Sequence, residues 1–171
     1  MQRCAVLLRG INVGRGNRLA MADLRAVLDG IGCTDVSTYL QSGNALVTAD
    51  PTGLAERVAA ALPLRVAVLV FTADELAAVV RACPWPDKAA AEPKKVHVAY
   101  LDRLPDPDRL AAVHWEGPDE LAVGPRVLYL SYADLSVTSS MTKALDKQLG
   151  GVATTRNWRT ATALAELTRP G

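Results

Sequence analysis

The sequence predicts an α+β fold: two ferredoxin-like (βαββαβ) halves in tandem, with additional helices. Three observations carry this. Hydrophobic periodicity gives the order β-α-β-β-α-β twice along the chain. Each half holds one hairpin signal, Ser42-Gly43 in the first and Gly124-Pro125 in the second. The 171 residues are 50% hydrophobic and 22% charged, enough apolar material for a core that needs no disulfide or metal.

In the first half, Ala5–Leu8 reads as a strand ended by Arg9-Gly10, and a polar, glycine-rich loop follows to Asn17. Met21, Leu24, Leu28 and Ile31 share one helical face, and Gly32 supplies a C-terminal stop. Val36–Gln41 and Ala45–Thr48 form a hairpin about Ser42-Gly43. Asp50 is expected to cap a second helix, with Pro51 at its first position and Leu54, Val58 and Leu62 inward. Val66–Phe71 is continuously apolar, as a fully buried strand would be. Thr72 and Glu75 have capping-box spacing and open a helix with Leu76, Val79, Val80 and Cys83 on its apolar face.

Residues 84–95 hold three prolines and are expected to be a linker between halves 1–83 and 96–171. The second half repeats the order. Val96–Leu101 is a strand, and Asp106-Pro107 opens a helix with Leu110 and Val113 inside. Glu120–Val123 and Val127–Tyr132 flank the second hairpin. Ser139–Leu149 is helical, Val152–Thr155 is a short last strand, and Trp158–Leu167 is a closing helix.

Lys+Arg is 19 and Asp+Glu is 18, which excludes a polybasic nucleic-acid coat and an acidic tail protein. The balance is uneven along the chain. Arg3, Arg9, Arg15 and Arg18 all precede the first acid, Asp23, and Lys147, Arg156 and Arg159 fall in a window without acids between Asp146 and Glu166. Cys4, Cys33 and Cys83 are odd in number and lack CxxC spacing, as reduced cytoplasmic thiols would be. With no signal-peptide pattern and no run near ~20 apolar residues, a cytoplasmic protein with no membrane partner is expected. The two histidines, His97 and His114, are unclustered, so no metal and no cofactor is expected.

Three stretches can carry ligand chemistry. The first is Arg9–Arg18, where Gly10, Asn12, Gly14, Arg15, Asn17 and Arg18 lie between a strand and a helix. Glycine-rich backbone there can expose N–H groups to an anion beside arginine charge. The spacing matches neither a P-loop nor a dinucleotide fingerprint, and a connecting loop uses glycines too. The second is the turn with Gln41, Ser42 and Asn44, and ordinary hairpins also collect such residues. The third is Thr155, Arg156 and Asn157, where a guanidinium fork suits phosphate or carboxylate and where a helix cap is the plainer use.

These three places are also where the chain resembles a known family. Leu8–Gly14 (LRGINVG), Thr38–Val47 (TYLQSGNALV) and Thr154–Trp158 (TTRNW) resemble the bacterial domain-of-unknown-function family 1697. Met21-x-x-Leu24-Arg25, Pro84-Trp85-Pro86 and Lys95–Val98 support it. The resemblance implies a duplicated ferredoxin-like arrangement and assigns no catalytic residue. One stretch departs: where relatives look to carry a GIGRSKLT-type segment, this chain has Leu135–Thr142 (LSVTSSMT), with hydroxyls in place of glycines and bases. A phosphate grip there would be weaker, or turned to another ligand.

The sequence therefore favours a binding module for an anionic, phosphate-bearing ligand, such as a nucleotide or nucleic-acid segment. An enzyme acting on a small phosphorylated or carboxylated substrate ranks below it, because no His or carboxylate falls inside the three motifs. A structural or partner-docking protein is the third alternative, and the oligomeric state is left open.

Overall fold

The computed structural model describes residues 1–12, 16–149 and 153–169. The chain divides into two compact units, residues 1–78 with 163–171 and residues 79–162. The fold is mixed α+β, with two four-stranded antiparallel sheets and seven helices among the described residues.

In unit 1, β1 (Gln2–Leu8), α1 (Met21–Gly30), β2 (Thr34–Tyr39), β3 (Asn44–Ala49), α2 (Leu54–Ala61) and β4 (Val68–Thr72) build a sheet of order β2-β3-β1-β4. The pleat sends alternate side chains to opposite faces. Cys4, Val6 and Leu8 of β1 and Ala45, Val47 and Ala49 of β3 therefore face one core with Met21, Leu24 and Leu28 of α1 and Leu54 and Val58 of α2. The alternate residues Ala5, Leu7, Leu46, Leu69 and Phe71 are buried as well. Burial pushes the Cys4 and Cys33 thiols up from their ordinary pKa, so both stay protonated hydrophobic fillers.

Local signals act as read at some ends and differently at others. The capping box closes: Thr72 N donates to Glu75 Oε2 at 2.8 Å and Glu75 N donates to Thr72 Oγ1 at 3.3 Å, opening α3 (Ala73–Arg81). Asp50 does not cap α2. Its carboxylate accepts from Thr52 N at 3.0 Å in a preceding turn, and the helix starts after Gly53, at φ +63. The stretch Val66–Phe71 pairs only from Val68, because β1 ends at Leu8 and Arg9 N donates to Ala67 O as the last ladder bond. Val68 and Val70 are half-buried, not fully buried.

Unit 2 repeats the order. α4 (Pro86–Ala91) occupies the proline-rich stretch, then β5 (Val96–Leu101), α5 (Pro107–Ala111), β6 (Glu120–Gly124), β7 (Val127–Ser131), α6 (Ser140–Leu149) and β8 (Ala153–Asn157) follow, with sheet order β6-β7-β5-β8. α7 (Trp158–Leu167) closes the chain. Asp106 caps α5 by accepting from Asp108 N at 2.8 Å, with Pro107 at the first position as expected. Ser139 caps α6, its Oγ accepting from Thr142 N at 3.2 Å. Ala99, Leu101, Leu128, Leu130, Met141 and Leu145 form the core beneath α6. Lys88 of α4 donates to the buried Ser131 Oγ at 2.5 Å, so α4 is fastened to β7.

His97 is half-buried on β5, its ring edge-on to Tyr132 with centroids 5.1 Å apart. Burial pulls its pKa below the ordinary value, against a smaller opposing effect of the Lys95 backbone. The unfolded chain then binds the proton more readily, at pKa ~6.5. His97 stabilises the fold fully above that pH and progressively less as pH falls toward its folded pKa. Urea unfolding between pH 7.5 and 5 should show falling stability, and His97→Gln should flatten that slope.

Candidate functional site

The Asn12 side chain ties the β1–α1 loop to the β2–β3 turn. Asn12 Nδ2 donates to Leu19 O and to Gln41 O, each at 2.8 Å, and Asn12 Oδ1 accepts from Leu19 N at 3.0 Å. Both amide hydrogens are used, so this residue braces the loop against the turn. Its φ of +55 is a left-handed conformation that Asn tolerates better than most residues. The loop also closes on itself, with Asn12 N donating to Asn17 O at 3.0 Å and Asn17 Nδ2 to Gly10 O at 3.4 Å.

The turn is seated by a close backbone approach that the motif reading did not single out. Leu8 N donates to Gly43 O at 2.8 Å, and a Cβ on Gly43 would stand 2.8 Å from Ile11 and 2.9 Å from Leu8. Gly43 also has φ +79, so glycine is required twice over. Asn44 is fully buried, and its Nδ2 donates to Tyr39 O at 3.0 Å and Ser42 Oγ at 3.1 Å, shaping the hairpin from within.

These constraints leave Arg9, Gly10, Gly16, Asn17, Arg18 and Gln41 exposed on the joined loop and turn. Ser42 is half-buried. Gly14 and Arg15 lie outside the described residues. The loop and turn thus present guanidinium groups and amides with no carboxylate among Arg9–Leu19 or Leu40–Asn44.

The third motif belongs to unit 2. β8 pairs with β5 in a register that sets Arg156 beside Val98 and Thr154 beside Tyr100. Alternation therefore sends Thr154 and Arg156 to the sheet face away from α6, where both are buried, while Thr155 falls on the opposite face, beside Ala99, and is exposed. Arg156 Nη1 donates to Thr154 Oγ1 at 2.8 Å and Thr155 O at 2.9 Å. Burial pulls its pKa down, and the neighbouring Tyr100 pulls the other way. Asn157 caps α7, its Oδ1 accepting from Thr160 N at 3.0 Å. Among the described residues no His, Cys, Asp and Glu gather in a group able to hold a metal ion. No helix is long and apolar enough to cross a membrane.

The model of the family described as "Protein of unknown function (DUF1697)" matches residues 1–129. The conserved bacterial protein SP0830 from Streptococcus pneumoniae is similar in fold. Its solved structure is 22% identical, covers 98% of each chain, and superposes with a TM-score of 0.76. No curated protein matches the sequence.

Asn12→Ala removes three hydrogen bonds and leaves the Leu19 and Gln41 groups unpaired, so it should cost about 2–4 kcal/mol. Gly43→Ala forces both strain and overlap and should cost about 1–3 kcal/mol. Urea denaturation of the two variants measures both.

Proposed function

This chain belongs to the DUF1697 family, and on that premise we propose that it is a binding module for an anionic, phosphate-bearing ligand such as a nucleotide or a nucleic-acid segment. The observation that carries the reading is the Asn12 brace, which fixes an acid-free, arginine-bearing loop against the β2–β3 turn. Arg9 and Arg18 supply exposed charge, and Gln41 and Asn17 supply amides. Gly10 at φ +63 lies in open space, so its backbone can approach a ligand closely. Gly14 and Arg15 belong to the same proposed contact set. Ser42 and Asn44 shape the turn from within.

Thr155, Arg156 and Asn157 take a different part in this reading. The buried Arg156 and the capping Asn157 order β8 and α7, and Thr155 is the exposed group of the three. Binding ranks over catalysis because Arg9–Leu19 and Leu40–Asn44 hold no His or carboxylate to serve as a general base. The same strand order in both units, 2-3-1-4 by position, supports a duplicated ferredoxin-like architecture. The reduced-thiol pattern supports a cytoplasmic location.

A thermal-shift titration with ATP, glucose 6-phosphate and a ten-nucleotide RNA tests the proposal. At least one should raise Tm, by roughly 2–4 °C for each kcal/mol of binding linkage, and the rise should shrink with added salt. The Arg9→Ala/Arg18→Ala protein, altered only at exposed positions, should lose most of the rise. A salt-independent rise, or an equal one in the double variant, would overturn it.

A further inference from the structure

We propose that unit 2 carries a second site, for a small organic ammonium ion, in the half-open pocket where His97 and Tyr132 meet the segment leading into α6. The pocket encloses about 250 Å³. That is below the ~300–1,000 Å³ of drug-sized sites and suits a molecule of few heavy atoms. Its wall combines three chemistries. His97 and Tyr132 give aromatic surface in an edge-to-face pair, Leu135 and Val137 give aliphatic surface, and Asp134 gives a carboxylate. Aromatic surface beside a carboxylate favours an organic cation through cation–π attraction and charge pairing.

The surrounding charge has the same sign. Asp134 accepts from Ser136 N at 2.8 Å and Ser136 Oγ at 2.9 Å, which holds its carboxyl below the usual range and keeps it ionised. Asp119 stands behind the pocket residue Ser139, accepting from Ser139 Oγ at 2.5 Å and from Ala133 N at 2.9 Å. Asp119 and Asp146 both help to hold up the Tyr132 phenol, after burial itself. Lys95, the cation nearest in effect to Asp134, is drawn to Glu92 at 2.5 Å. Burial keeps His97 neutral at pH 7, so it brings no competing charge. The hydroxyls of Tyr132 and Thr142, 3.0 Å apart, can accept from ammonium hydrogens.

The lining is largely the Leu135–Thr142 stretch, whose pocket residues Leu135, Val137, Thr138, Ser139 and Thr142 bring aliphatic groups and hydroxyls and no basic side chain. An anion-seeking lining would repel an ammonium ion, and this one attracts it. The site is chemically opposite to the arginine-bearing loop of unit 1, so the two proposals stand independently.

Amide-resolved NMR titration tests it, with 1,4-diaminobutane, ethanolamine and benzylamine as probes and 1,4-butanediol and succinate as controls. At least one amine should give saturable shifts concentrated at residues 97 and 132–142, with neither control doing so. Asp134→Asn keeps an acceptor for Ser136, and it should weaken the amine by tenfold or more while leaving the free-protein spectrum otherwise intact. Val137→Asp places a second carboxylate at an exposed wall position and should tighten amine binding. No saturable shift with any of the three amines, or equal affinity in Asp134→Asn, would overturn the proposal.

Discussion

Residues Cys4–Leu8 of β1 are buried on both faces of their sheet. A buried strand has no water for its backbone, so each N–H and C=O must find a lateral partner. β3 and β4 supply those partners from either side. Where β1 ends, its last bonds fall on turns instead of strands: Leu8 N goes to Gly43 O and Arg9 N to Ala67 O. The β2–β3 turn is thereby drawn against Leu8 and Ile11, so the loop leaving β1 starts beside that turn. The Asn12 brace then needs only a side chain's reach to lock the two together.

The same constraint explains the uneven use of polar residues in unit 2. β5 is the buried central strand there, paired with β7 and β8. β8 must lie beside it even though its residues Thr154-Thr155-Arg156 are polar. The register decides which of them are buried, and Arg156 Nη1 finds two acceptors on its own strand. One motif thus divides by alternation into a buried guanidinium, an exposed hydroxyl at Thr155 and a helix cap at Asn157.

The elements legible in the sequence are those whose signal is local. Val96–Leu101 and Trp158–Leu167 have the bounds their apolar patterns imply, and Thr72/Glu75 and Asp106 cap helices as their spacing requires. What was not legible depends on partners distant in sequence. Asp50 had a cap's neighbours, yet its carboxylate bonds to Thr52 and α2 begins at a left-handed Gly53. No local spacing in the proline-rich stretch announces α4, whose Lys88 bonds to Ser131 of β7. Arg156 looks like a surface contact until the β5 register is known. Gly43 is required by Ile11, which lies more than thirty positions earlier. The unit 2 pocket follows from where the unpatterned Leu135–Thr142 segment lies against His97, which no local spacing announces.

The central claim is that the braced loop and turn of unit 1 form one anion-receiving surface. The most direct measurement is a backbone-amide NMR titration with inorganic pyrophosphate at low salt. The account predicts saturable shifts that cluster at Arg9–Asn12, Gly16–Leu19 and Gln41–Gly43 and collapse together in Asn12→Ala, with the rest of the sheet unmoved. Shifts confined to other basic side chains of the surface, or loop shifts that survive in Asn12→Ala while the turn stays silent, would contradict it.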